Sequence, residues 1–556
     1  MSGRLRALGF APLFLGVSLA LAAPAPEKAG PKAVPAVEGA SSENRQATQA
    51  AMAVLARGGN AVDAAVTAAL VAGVTSPTSS GLGGGGFALV YTAADRKTTL
   101  LDFREVAPRV LDAAAFERRP LPETERGKLT GVPGEPLGLH ELHRRFGKRT
   151  WRDVVAPAER FARGGFVVEA HLAGALQGNA GAAVRRDAGL LAVYFPKGKP
   201  ALAGQRLTNP KLARTLARLG NEGPRPFYAG DIASDFIARA RALGSGISAE
   251  DFTAYAVRER TPLVTRWEGY DVATMPPPSA GGLLLAQVLG LFTRAELRAA
   301  DVTKPLGMHL LAEGMRGAFA DRACCIGDPD LSPVDVAKLL APERLAVRKK
   351  LISPDRTHLV PRFLENPNGT HHLVTADRDG NVVSLTTTVN TSFGADGAAE
   401  KSGVVLNDEL DDFTSNADAA KLGVTNNPNA PRPGARPVSS MTPTIVFRDG
   451  RPVVAIGGSG GTTIAPNVTQ VLLAVLVRGV SPSAAVSAPR FAPISRDATL
   501  LLDEDFGEAE RRELVFRGEI LRVTPRIPFG VQLLAWGENG LEGGADPRKH
   551  GHAEVR

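Results

Sequence analysis

Residues 366–390 read "NPNGTHHLVTADRDGNVVSLTTTVN". Two runs rich in β-branched and apolar residues, "HHLVTA" and "VVSLTTTV", flank a turn-like centre. A three-residue loop, Arg378-Asp379-Gly380 with Gly380 left-handed, is a common hairpin closure. In that register Ala376 faces Val382 and Thr370 faces Thr388. Side chains alternate along a strand, so Thr386, Thr388 and Asn390 share one face, with Thr370 opposite the middle one. A slip of one residue would bring Thr387 opposite instead and flip the face.

Two hydroxyls meeting at a strand end permit a specific chemistry. A Thr hydroxyl is a poor nucleophile until a base takes its proton, and the free α-amine of an N-terminal Thr is one such base. That amine exists only if the chain is cut at Gly369-Thr370. The Thr370 hydroxyl could make the cut itself by attacking the Gly369 carbonyl, where glycine places no side chain in the way. A Thr-rich strand is also an ordinary β-former, so the hairpin alone leaves both readings open.

A second hairpin lies in "SSMTPTIVFRDGRPVVAIGGSGG", around Asp449-Gly450. A two-residue turn there sets Ser440 opposite Ser459 and Ser439 opposite Gly460. Two hydroxyls would then meet a glycine-rich strand end whose N–H groups could bind an oxyanion. Read alone, the same glycines are consistent with a plain turn.

Around these hairpins the texture is that of a layered α/β body. "NRQATQAAMAVLARGGN" and the segment after Asn60 carry helical apolar spacing, and Asp63 completes a capping-box pattern with Asn60. "GLGGGGFALVYT" and "KTTLLDF" read as a glycine turn and two strands. Residues 130–350 read as mostly helical, including a Pro turn opening a buried helix in "MPPPSAGGLLLAQVLGLF". A further helix is expected near 464–478. Helices, strands and helices follow one another without strict β-α-β alternation.

Composition sets limits on function. The 556 residues can bury a large core, and 44% are hydrophobic and 22% charged, an ordinary globular balance. The net charge of +8 is small for this length, and basic residues are interspersed with acids, which argues against nucleic-acid binding. Arg4 and Arg6 precede an apolar run, Leu8 to Leu21, with Ala20-Leu21-Ala22 as a cleavage-site pattern. This reads as a signal peptide over 1–22, an uncut membrane anchor being the alternative, and predicts a periplasmic or secreted protein. Residues 23–43, rich in Ala, Pro and Gly, read as a flexible leader. The two cysteines, Cys324 and Cys325, are adjacent and read as small core residues. No ligand cluster for a metal stands out.

Together the segments resemble the γ-glutamyltranspeptidase family of N-terminal-nucleophile hydrolases, from about residue 44 to the C-terminus. "GGNAVDAAV", "GGGGF", "DFREVAP", "GVPGEPLG", "MPPPSAGG", "ADRACCIGDPD", "LNDELDDF", "RPVSSMTPTI" and "GGADPR" follow in the family's order. The resemblance implies a four-layer αββα sandwich, cut into a large subunit, 44–369, and a small catalytic subunit, 370–556, that stay associated. It implies transfer of a γ-glutamyl group from glutathione or a similar donor to water, an amino acid or a short peptide. No cofactor or metal is implied.

Residue by residue, Thr370 matches the nucleophile and Thr388 the Thr that activates it. Arg104 matches the grip on the donor's α-carboxylate, which suits a planar guanidinium fork, and Ser439 and Ser440 match the serines sharing it. Asn390, Glu409 and Asp412 match the groups holding the α-ammonium; Gly460 and Gly461 match the oxyanion-hole pair. His371, Val374, "GGSGG" and "PSAGG" depart from the usual pattern, and residues 414–435 carry no lid tyrosine. A glutaryl-type acylase of the same fold, or an uncleaved binding protein, are the alternatives.

Overall fold

The computed structural model describes residues 37–358, 369–493 and 498–556. The signal-peptide reading, and the leader up to residue 36, lie outside the described residues. The first hairpin forms as read. Strands Gly369–Ala376 and Val382–Asn390 pair with Ala376 opposite Val382 and Thr370 opposite Thr388, and Gly380 turns with φ +85°. Nearly every residue of both strands is buried. The alternation explains why. Leu373, Val383 and Leu385 enter one core, with helices Arg45–Ala56 and Ala61–Thr75. Val374, Ala376 and Val382 enter the other, with Ile445, Val454 and Ile456 of a second sheet.

This hairpin sits at the centre of an antiparallel seven-stranded sheet. Its order is His552–Val555, Gly39–Ser42, Gly369–Ala376, Val382–Asn390, Gly85–Thr92, Lys97–Phe103 and Arg258–Arg260. The facing six-stranded sheet runs Gly540–Ala545, Val531–Gly537, Arg451–Gly458, Thr444–Arg448, Tyr270–Thr274 and Leu263–Trp267. Outside the first sheet, Ala61–Thr75 is buried almost all round and capped by Asn60 and Asp63 as the sequence indicates. Outside the second lie Gly281–Leu291, Pro305–Cys325 and Ile464–Arg478. The result is the four-layer αββα sandwich. Among the described residues no helix is long and apolar enough to cross a membrane.

Four readings change. The leader does not reach residue 43: Gly39–Ser42 is a buried strand between His552–Val555 and Gly369–Ala376. It was invisible because small residues are what fit there; a Cβ on Gly39 would stand 2.7 Å from Val555 Cγ1. The mostly helical middle contains the hairpin Leu263–Trp267 and Tyr270–Thr274, turned at Glu268-Gly269 with positive φ at both. The second hairpin starts in the expected register, Arg448 opposite Arg451, but shifts by one between Val446 and Phe447. That bulge removes the expected Ser440–Ser459 and Ser439–Gly460 pairings, and Ser439 bridges Ser279 instead. Cys324 is exposed and Cys325 half-buried, and the two are joined as a disulfide, not packed as core residues.

A chain starting at Glu43 lacks the Gly39–Ser42 strand and leaves two sheet strands unpaired along that edge. Ladder hydrogen bonds are worth on the order of 1 kcal/mol each. Such a chain should lose several kcal/mol in denaturant unfolding, or fail to fold, relative to one starting at Val37.

Candidate active site

The chain runs unbroken through Gly369 and Thr370, so the geometry is that of the uncut chain. Thr388 Oγ1 donates to Gly369 O at 2.9 Å and accepts from Asn390 N–H at 2.9 Å. It lies 3.5 Å from Thr370 Oγ1. A hydroxyl has one proton to give. Since that of Thr388 goes to a carbonyl, the contact between the two hydroxyls is Thr370 donating to Thr388. One side chain therefore polarises the Gly369 carbonyl and draws on the neighbouring hydroxyl's proton. On the same face His372 Nδ1 lies 2.8 Å from Thr386 Oγ1. Burial holds the His372 ring far below its usual value and pushes His371 down to about 3, so both rings are neutral.

The other side of Thr370 is held from the C-terminal end. Lys549 Nζ donates to Thr370 O at 2.9 Å and to Glu43 Oε2 at 3.1 Å. Glu43 Oε1 accepts from His372 N–H at 3.3 Å. Burial raises the Glu43 carboxyl and the Lys549 ammonium opposes it. Neither residue was singled out from sequence, because the link spans almost the whole chain. At the bond itself, a Cβ on Gly369 would come within 2.1 Å of Thr78 O, so only glycine fits.

Arg104 follows strand Lys97–Phe103 and is 1% exposed. Its guanidinium is paired with Glu409, and with Asp412 at 2.6 Å, and it donates to Pro437 O at 3.2 Å. Glu409 and Asp412 share one turn, Glu409–Asp412. Burial pushes Glu105 up to about 7 and Glu409 well above the carboxylate range, with Arg104 opposing both. Three acids, Glu105, Glu409 and Asp412, thus surround Arg104, with Arg322 as a second cation on the pocket wall. A zwitterion fits this set: its carboxylate can replace Glu409 and Asp412 on Arg104, while its ammonium takes the released acids.

Arg104, Thr370, Thr388, Asn390, Glu409, Asp412, Ser439, Ser440 and Gly461 line one pocket, of about 20 Å³ in the uncut chain, which is the size of a water. Asn390 is anchored by its Nδ2, which donates to Asp408 O at 2.9 Å. Ser439 Oγ accepts from Met441 N–H at 3.1 Å, leaving its proton for an acceptor in the pocket. Gly461 opens the turn Gly461–Thr463 before helix Ile464–Arg478. Gly460 stands one residue back with φ +126°, where a Cβ would strike Phe529. Arg322, Met441 and Thr462 also line the pocket and were not anticipated. Arg322 sits in "ADRACCIGDPD", a segment quoted for its order and not for a side chain.

An αββα body presenting a Gly-Thr bond at the start of a central strand defines the class of N-terminal-nucleophile hydrolases. The chain belongs to the gamma-glutamyltranspeptidase family, whose model matches residues 47–555. It is 35% identical over 534 residues to glutathione hydrolase 2 of Arabidopsis thaliana, covering 90% of each chain. It is 32% identical over 522 residues to the glutathione hydrolase proenzyme of Escherichia coli, covering 90% of this chain and 89% of that one. Among solved structures, a cephalosporin acylase from Bacillus halodurans superposes with a TM-score of 0.82 at 25% identity, covering 96% and 98%.

Removing Lys549 leaves Glu43 buried without its cation, a change that costs about 3 kcal/mol in comparable buried pairs. Lys549→Met should lower the melting temperature clearly. Adding Glu43→Gln should recover much of the loss, and a double-mutant cycle measures the coupling.

Proposed function

We propose that this chain is the precursor of a γ-glutamyl hydrolase and transpeptidase that cuts itself at Gly369-Thr370. The Thr370 hydroxyl attacks the Gly369 carbonyl, which Thr388 polarises. The amide becomes an ester, and water releases a Gly369 carboxylate and a free Thr370 amine. In the mature site that amine takes the hydroxyl proton as Thr370 attacks the γ-carbonyl of a donor such as glutathione. The donor's amine leaves with a proton, and the γ-glutamyl ester on Thr370 passes to water, an amino acid or a short peptide. Gly460 and Gly461 serve the oxyanion, and Ser439 and Ser440 assist Arg104 at the α-carboxylate. The N-terminal pattern supports a periplasmic or secreted enzyme.

The observation that carries the substrate class is Arg104 held between Glu409 and Asp412. An α-amino acid head satisfies both signs of charge; a glutaryl head takes Arg104 and offers no ammonium to Glu409. The acylase reading is favoured by the structural match to a cephalosporin acylase, and the charge set argues against it. Leaving the buried Glu409 carboxyl without its partner costs up to about 3 kcal/mol, or about 100-fold in rate.

γ-Glutamyl p-nitroanilide should therefore be cleaved with a kcat/KM about 100-fold above the glutaryl anilide. Equal or faster glutaryl cleavage would discard the assignment. Gly369→Ala, which forces a Cβ against Thr78 O, should slow conversion of precursor to two chains at least tenfold, followed on denaturing gels. Unchanged conversion would mean that the bond is cut elsewhere.

A further inference from the structure

Helix Pro305–Cys325 ends on the adjacent cysteines, which form a disulfide across one peptide bond. The pair lies in the wall of a cavity of about 690 Å³, separate from the catalytic pocket. The two spaces share one helical turn: Arg322 lines the catalytic pocket, and Cys324 and Cys325 line the other. The far wall is the chain following the Glu409–Asp412 turn, including Asn416 and Asn427. Asn429 Nδ2 ties that chain to Asp412 O at 2.7 Å.

The charges of this cavity favour an anion. Lys338, Arg344 and Arg432 line it against one acid, Asp335. Arg344 is already paired with Asp321 at 2.6 Å. Lys338 and Arg432 are exposed at the rim, and the remaining lining mixes amides and hydroxyls with Pro333, Leu339, Pro428 and Ala430. The two sulfurs differ in their setting. Cys324 is exposed, while Cys325 packs on the apolar cluster of Ala280, Leu283, Ile326 and Leu339.

We infer that the Cys324–Cys325 disulfide is a thiol–disulfide exchange site for anionic thiol peptides of the size of glutathione. Exposed disulfides are the exchange-prone ones, and exchange proceeds by thiolate attack. The incoming thiolate bonds to Cys324 Sγ, and the Cys324–Cys325 bond breaks with its electron pair going to Cys325 Sγ, which takes a proton from water. A second thiolate attacks the outer sulfur of the mixed disulfide. It releases the peptide disulfide and a Cys324 thiolate. Two peptide thiols are oxidised and one protein disulfide is reduced. Naming glutathione as the thiol rests on the γ-glutamyl reading; the exchange itself and its charge preference do not.

The test uses the full-length Thr370→Ala chain, so that glutathione is not consumed, purified in air without reductant. Aliquots are acid-quenched, alkylated under denaturing conditions and weighed intact. Before treatment no cysteine should be alkylated. With glutathione, both should become so, through an adduct mapping to Cys324. At low ionic strength glutathione should act about fivefold faster than neutral 2-mercaptoethanol at matched thiolate concentration, and salt should erase the difference. Lys338→Glu with Arg432→Glu, both rim residues, should abolish it without affecting the melting temperature. Free thiols in the air-purified chain, or rates indifferent to thiol charge, would overturn the inference. Because activity is not read, failure here leaves the γ-glutamyl assignment to its own anilide test.

Discussion

The single proton of the Thr388 hydroxyl orders the site. It is directed at Gly369 O by two constraints, the pairing of Thr388 with Thr370 across the hairpin and the Asn390 N–H that fills an acceptor position on the oxygen. With that proton placed, the Thr370 hydroxyl can only donate, which is the direction a nucleophile needs. The Asn390 contact is local, two residues along the strand, but the pairing is not held locally. The hairpin keeps its register because both its faces are buried, in two different cores, and a one-residue slip would exchange every side chain between them. The hydrogen bond from Thr388 to Gly369 O is thereby protected by the packing of the whole sandwich.

Charge is arranged by the same means. Arg104, Glu409 and Asp412 are removed from water as a set, and burial makes each depend on the others. An ion pair formed in the free site has to be exchanged for one with the ligand. A ligand that returns both signs of charge makes that exchange without leaving the buried Glu409 carboxyl unpartnered. Discrimination then follows from what is left unsatisfied by the wrong ligand, more than from new contacts with the right one.

The Thr370–Thr388 hairpin was legible in sequence because turn chemistry and alternation specify its register together. The four layers and the charged residues of the donor site came from ordered family segments, since no spacing rule places Arg104 beside Glu409. The second hairpin misled because a bulge adds a residue without leaving a mark in the pattern of "VVAIGG". Gly39–Ser42 was hidden because its closeness to Val555 selects small residues, which by composition resemble a linker. Lys549 and Glu43 could not be paired from sequence at all. Each looks like a surface charge until the two ends of the chain are brought to Thr370.

Those long-range pairings also bear on what a cut at Gly369-Thr370 would leave. In the central sheet His552–Val555 lies beside Gly39–Ser42, which lies beside Gly369–Ala376, and Val382–Asn390 lies beside Gly85–Thr92. Segments from before and after the bond therefore interleave, meeting at three strand pairs held by ladder hydrogen bonds. The buried Lys549–Glu43 pair crosses the same divide. Separating the products would expose both cores and several strand edges, a cost of the order of unfolding itself. Such a cut would free one α-amine without freeing a chain, and the new terminus would stay where the strand put it.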